Sequence, residues 1–209
     1  MQSAINASVV LQGKYVRLEP LDQSHADQLT AATDGEPMLY QWTQVPHNAA
    51  EAREYIRIAT AWRDAGTALP FATIRLVDDA LVGSTRFFNL EYWPWPQEHT
   101  RHGRASPDVC EIGYSWLSRS AIRTAANTEA KFLMLTYAFE TWEALRVCFH
   151  TDLRNLRSQA AIARIGGIRE GVLRSHRLAA DATPRDSARY SIIAKEWPGV
   201  KQRLNRVLL

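Results

Sequence analysis

The sequence predicts a mixed α/β fold, a sheet with helices on its faces, and three observations predict it. Period-two alternation at 14–19 and 109–117 and β-rich runs at 71–77 and 81–90 mark strand-like segments. Apolar residues recurring every three to four positions mark helices at 48–64 and 127–145. No internal repeat divides the chain, so the elements belong to one domain, expected over 13–209 behind a short leader at 1–12.

Taken in order, Lys14-Tyr15-Val16-Arg17-Leu18-Glu19 reads as a half-buried strand that stops at Pro20. Ser24 is the expected cap of a helix over 25–33, and Gly35 and Pro37 break the pattern after it. Asn48 opens a second helix with Ala52, Tyr55, Ile56, Ala59 and Trp62 on its stripe, and Gly66 ends it. The runs 71–77 and 81–90 flank Asp78-Asp79-Ala80 and predict an antiparallel hairpin. Pro94 and Pro96 exclude a central strand, leaving 93–107 as a polar loop. Strand 109–117 is expected to put Cys110, Ile112, Tyr114 and Trp116 on one face and Glu111, Gly113 and Ser115 on the other. After the long helix come a buried strand at 146–151 and a helix at 155–165 closed by Gly166-Gly167. Strands at 172–177 and 189–194 then flank a polar 178–188 loop, and a last helix covers 198–209.

Composition narrows the function classes. Lys and Arg number 25 against 22 Asp and Glu, for a net charge of +3, and the surplus is spread along the chain. No run of about five like charges marks a nucleic-acid tail, so a nucleic-acid partner is not expected. The two cysteines, Cys110 and Cys148, are too few for a disulfide framework or a four-cysteine zinc site. His99, His102 and Cys110 lack a fourth ligand, and no metal is expected. With no charged and apolar leader and no window of roughly eighteen apolar residues, the expected location is the cytoplasm, without a membrane partner.

The informative segment follows Leu117. Ser118 to Ala126 is short, polar and small, and it enters a long helix with Asn127 as the expected cap. Such a loop presents consecutive backbone N–H groups at the positive end of a helix dipole, suited to a phosphate or pyrophosphate. Arg119 and Arg123 flank it. By spacing alone an ordinary strand-to-helix turn is the better description.

The string Ile122-Arg123-Thr124-Ala125-Ala126-Asn127-Thr128-Glu129-Ala130-Lys131 resembles the coenzyme A loop and helix start of Gcn5-related N-acetyltransferases (GNAT), closest to the branch of ribosomal-protein N-terminal acetyltransferases. Cys110 to Tyr114 resembles that branch's E-I-G-Y strand, and Asp152 to Ser158 its D-x-x-N-x-x-S element. Gly166 to Arg174 is similar to its G-F-x-x-E-G-x-L-R turn, and Tyr190-Ser191-Ile192 with Glu196-Trp197 to its closing Y-S-I … E-W. Ile122, Ala125 and Asn127 depart from the family loop Q/R-x-x-G-x-G/A, and Arg123 stands where glycine is common.

The resemblance implies a mostly antiparallel sheet flanked by helices, and an enzyme that moves an acetyl group from acetyl-CoA to a primary amine, a protein N-terminus or a small molecule. It implies coenzyme contacts at Trp116, Leu117, Arg119, Arg123, Thr124, Ala125, Ala126, Asn127, Thr128 and Asn155. Attack by an amine requires a proton acceptor, for which Glu111 is the candidate, and the departing thiolate requires a proton, for which Ser158 is the candidate. A paired structural glutamate and a capping serine are the alternatives at these two positions. The other functional reading is a protein on this fold that binds an acyl-CoA or small ligand without turnover. The loop 91–108, with three aromatics, offers a surface for a second subunit in a homodimer.

Overall fold

The computed structural model describes residues 8–33 and 37–209. Most of the expected leader and the expected breaker Gly35 lie outside them. The strands are β1 (Leu11–Gln12), β2 (Val16–Pro20), β3 (Ala68–Arg75), β4 (Ala80–Glu91), β5 (Val109–Leu117), β6 (Arg146–Asp152), β7 (Ile168–Leu178) and β8 (Pro184–Ile193). The helices are α1 (Ala26–Ala32), α2 (Ala49–Asp64), α3 (Ala126–Thr136), α4 (Leu156–Arg164) and α5 (Trp197–Leu208). They build one mixed sheet in the order β1-β2-β3-β4-β5-β6-β8-β7, flanked by helices. Among the described residues only the β5–β6 pair is parallel, with α3 in the crossover between its strands.

Local chemistry explains most boundaries and corrects several expectations. Asn48 caps α2 as expected, its Oδ1 accepting from Glu51 N–H at 2.9 Å. Before α1 the cap is Asp22 rather than Ser24: the Asp22 carboxylate accepts from Ser24 N–H at 2.8 Å and starts a 3-10 turn at Gln23–His25. The β3–β4 hairpin forms with Asp79 in the left-handed region at φ 52°. Leu11–Gln12, expected in the leader, pairs with β2.

The helix expected over 127–145 is shorter. It loosens into a π-turn at Tyr137–Thr141 and ends before Glu143 at φ 52°. That widening rotates the last aromatics into the core, where Phe139 stacks on Trp197 at 5.4 Å and Trp142 packs on Phe87 at 4.7 Å. Strands β7 and β8 run further than expected, so only 179–183 turns between them. Their polar residues read as loop in the sequence, yet a ribbon with one uncovered face needs little apolar alternation.

The two faces of the sheet are covered unequally. One apolar cluster spans β2 to β8 beneath α3 and α5, with Leu18, Phe87, Cys110, Met134, Val147 and Ile192 among its members. On the opposite face α1 and α2 cover β3 and β4 and reach Trp116 of β5. The corresponding face of β6, β8 and β7 carries polar side chains instead: His150 lies opposite Arg189, and Asp152 opposite Ser187.

Candidate active site

The β5–β6 pairing lasts three rungs, Val109 to Glu111 against Arg146 to Cys148, and then the strands part. A bulge in β5 accompanies the opening. Between Ser84↔Trp116 and Arg86↔Gly113 the strand holds an extra residue, with Tyr114 at φ 51°. The bulge reverses the expected alternation. Ser115 faces α3 through its bond with Lys131, while Tyr114 and Trp116 face the α2 side with Glu111. Glycine is required where β4 crosses this stretch, because a Cβ on Gly83 would lie 2.1 Å from Trp116 O.

At the open end of β5, Ser118 N–H donates to Val82 O at 2.7 Å. Antiparallel alternation then turns the N–H and C=O of Leu117 away from β4, toward the gap, and those of Trp116 toward β4. Tyr40 Oη donates to Leu117 O at 3.3 Å, leaving the Leu117 N–H facing the gap. The Trp116 side chain is core, edge-on to Tyr40 at 6.0 Å, with Nε1–H donating to Tyr55 Oη at 3.3 Å.

The loop that follows bends through a 3-10 turn at Arg119–Ala121 and then through Arg123 at φ 61°. This left-handed turn starts α3 early. Ala125, not Asn127, occupies the cap position, and Thr124 Oγ1 accepts from Ala126 N–H at 3.2 Å. The first helical bond is Glu129 N–H to Ala125 O, so the N–H groups of Asn127 and Thr128 precede it at the positive end of the dipole. A cavity of about 450 Å³ lies against Arg75, Val82, Ser118, Arg119 and Ser120, and a second of about 280 Å³ against Lys14, Thr124, Ala125 and Ala126. Arg123 is exposed beside this loop.

Glu129, which the sequence reading passed over, anchors the helix start. Its buried carboxylate accepts from the N–H groups of Lys14, Tyr15 and Val16 at 2.8, 2.7 and 2.7 Å. Across the gap, Asn155 caps α4, its Oδ1 accepting from Ser158 N–H at 3.0 Å. Ser158 therefore stands in the first turn of α4.

Glu111 sits at the closed end of the gap and is 3% exposed. Asn89 Nδ2–H and Arg177 Nη2–H donate to its Oε2 at 2.8 and 2.9 Å, and His150 Nδ1 lies 2.9 Å from its Oε1. Burial alone raises its pKa, but His150 and Arg177 outweigh burial and hold the carboxyl below its ordinary value. The His150 ring is 4.9 Å from that of His176, whose pKa burial lowers, helped by Arg177. Asn89, His150, Arg177 and His176 come from three strands, and only the polar positions within β-rich runs hinted at them.

Other sequence candidates separate. His99 stacks on Trp95 at 4.2 Å, His102 Nδ1 meets Trp95 O at 2.7 Å, and Cys110 is buried in the core. Among the described residues no group of three or more His, Cys, Asp or Glu side chains could hold a metal ion, and no helix is long and apolar enough to cross a membrane. The 91–108 loop is rooted through Asp108, which accepts from Trp93 N–H at 2.8 Å and Trp95 Nε1–H at 2.9 Å.

Comparison with known proteins agrees with this geometry. Residues 16–168 match the model of the acetyltransferase (GNAT) domain. Bacillus subtilis (strain 168) YdaF, named as a ribosomal N-acetyltransferase, is 35% identical over 91 residues, which span 44% of this chain and 49% of that protein. The match thus covers about half of that relative's length. A GCN5-related N-acetyltransferase of Brucella melitensis superposes with a TM-score of 0.82 at 28% identity, over 97% of this chain and 86% of its own. An acetyltransferase structure from T. thermophilus gives 0.77 at 32% identity, over 96% and 97% of the two chains. A parallel strand pair that opens beside a helix start is thus joined to a domain match across most of the sequence, and the chain belongs to the GNAT acetyltransferase family.

Proposed function

We propose that the protein transfers an acetyl group from acetyl-CoA to a primary amine, by direct attack of the amine on the thioester. The observation that carries this reading is the gap between β5 and β6, which opens beside the free N–H groups of α3. The residues of the loop fit a diphosphate. Ala125 keeps φ at −67°, so alanine stands at the family's glycine position without strain, and the one left-handed residue is Arg123. The N–H groups of Asn127 and Thr128 meet the phosphates, with Arg119 and Arg123 beside them. Leu117 offers its N–H to the amide-bearing arm of the cofactor, extending β5 by strand addition. Trp116 supports that edge from the core rather than through its main chain. Asn155 fixes the first turn of α4 on the opposite side of the gap.

The acceptor enters from the polar face, where Glu111 and His150 lie. An alkyl ammonium, with a pKa near 10, must lose a proton before its nitrogen attacks. The Glu111 carboxylate remains charged at neutral pH and orients His150, and this carboxylate–imidazole pair takes the proton. As the C–N bond forms and the C–S bond breaks, the thiolate takes a proton, for which Ser158 Oγ at the start of α4 is the candidate donor. A relative named for ribosomal N-acetylation supports protein N-termini among the acceptors.

Thiol release from acetyl-CoA, followed with a panel of peptides and small amines, tests the reading. Amine-dependent release with matching N-acetyl product by mass spectrometry is the expected result. Saturable coenzyme binding with no release for any amine would leave only a binding protein.

A further inference from the structure

The uncovered face of β6, β8 and β7 holds more positive charge than its carboxylates match. Glu111 is taken by Arg177, Asp152 by Arg154 and Glu170 by Arg146. Arg185 is left over. It lies directly across the β7–β8 ribbon from Arg177, so two guanidinium groups face each other on neighbouring strands, an arrangement that opposes pairing unless an anion lies between. The hydrogen bond it makes is Nε–H to Ser187 Oγ at 3.0 Å, and among the described residues no carboxylate pairs with it. It is half-buried, and burial followed by Arg177 lowers its pKa, while the more distant charges of Asp152 and Glu111 offset only part of that.

A second arginine converges on the same place. Arg86 is 2% exposed, and its Nε finds no hydrogen-bond partner. Its guanidinium lies 4.2 Å from the centre of the Tyr114 ring, with Tyr55 and Trp62 on its other sides. Ring faces offset part of the cost of burying this charge, but they accept none of its in-plane N–H groups. Tyr114 is the bulge residue at the gap and is itself exposed; its ring covers Arg86 and its hydroxyl acts electrostatically on Arg185, so the two arginines share this neighbour.

We propose that the acceptor amine carries an anionic group, a carboxylate or a phosphate, which Arg185 receives while Arg86 adds a second positive charge beneath Tyr114. The proposal rests on the acetyl-transfer reading above and names its substrate class. Arg185 is the specificity-determining residue: its planar fork suits a bidentate oxyanion, and the anion relieves the opposition between Arg177 and Arg185.

Matched amine pairs test this, each differing only in charge. β-Alanine against β-alaninamide reads a free carboxylate, O-phosphoethanolamine against ethanolamine reads a phosphate, and Ser-Asp-initiated against Ser-Asn-initiated peptides read an acidic side chain. In at least one pair, kcat/KM should favour the anionic member by about tenfold or more. Arg185→Met should abolish that preference and leave the neutral member unchanged, and Arg185→Lys should keep part of it. Equal use of both members of every pair overturns the proposal, as does an equal fall for both in Arg185→Met with Arg185→Lys behaving as wild type on both. Calorimetric titration with O-phosphoethanolamine and with β-alanine, on wild type and Arg185→Met, separates the two levels of failure. If no amine releases thiol while Arg185-dependent anion binding persists, acetyl transfer fails and the anion subsite stands. If that binding is absent as well, the subsite falls too.

Discussion

The two sides of the opened strand pair are built on different principles. The side reached from Leu117 to Thr128 is one continuous stretch of chain, and it offers main-chain N–H groups whose direction the bulge, Arg123 and the start of α3 determine. The polar face gathers Asn89, Glu111, His150 and Arg177 from four strands, and it offers side chains whose charge state depends on one another. A main-chain site tolerates side-chain changes, which is how Ala125 and Asn127 replace the family's smaller residues without removing an N–H. A side-chain site does not, and each of its members is held by the others.

That contrast can be broken first at Glu111. Glu111→Gln should lower kcat by about a hundredfold with little change in acetyl-CoA affinity, measured by steady-state kinetics beside equilibrium binding. An equal loss in coenzyme affinity would mean that the two sides are not separate. The next effect is expected at Glu129. Replacing it with alanine leaves one buried and two part-buried N–H groups without their carboxylate and should cost about 3 kcal/mol in urea unfolding. Because Glu129 fixes the start of α3, the same change should weaken coenzyme binding while the pH profile of kcat stays in place.

Lys131 lies beneath the bulge, between the two sides, donating to Thr85 Oγ1 at 2.8 Å and to Ser115 Oγ. Burial lowers its pKa from 10.5 to about 7. Between those values the unfolded chain holds a proton that the folded chain lacks, so this group makes stability rise with pH through that window, and below it the contribution is flat. The slope approaches about 1.4 kcal/mol per pH unit at most. Lys131→Met should flatten it in urea titrations at pH 7, 8 and 9, and an unchanged slope would refute the assignment. The smallest effect belongs to Arg123. Glycine relieves a left-handed residue at some cost in unfolded-state entropy, so Arg123→Gly should stay within about 1 kcal/mol of wild type in stability. Coenzyme affinity should fall about fivefold if the guanidinium meets phosphate.

The same contrast governs what the sequence discloses. The stretch proposed for the coenzyme was singled out because its motifs stand in family order, from Cys110 through Asn127 to Asn155. Even there the cap was misread, because Asn127 is the stronger capping residue type and nothing in the string reveals that Arg123 turns left-handed. Strand alternation failed at Tyr114 for a related reason: a bulge adds one residue without a compositional mark. Ribbon β7–β8 was half seen as loop because its open face needs no apolar residues. Glu111 was proposed from its motif, while His150, Arg177 and Arg185 carried no local signal, since register across strands brings them together.

The central claim is that acetyl-CoA lies along the parted end of β5 with its diphosphate at α3, opposite a separate acceptor face. Coenzyme A titrated into nitrogen-15-labelled protein tests it directly, by following assigned backbone amides. The account predicts saturable shifts at Leu117, Asn127 and Thr128, with Arg177 and Arg185 on the β7–β8 ribbon little changed. Shifts confined to β7 and β8, or none at millimolar coenzyme, would contradict it.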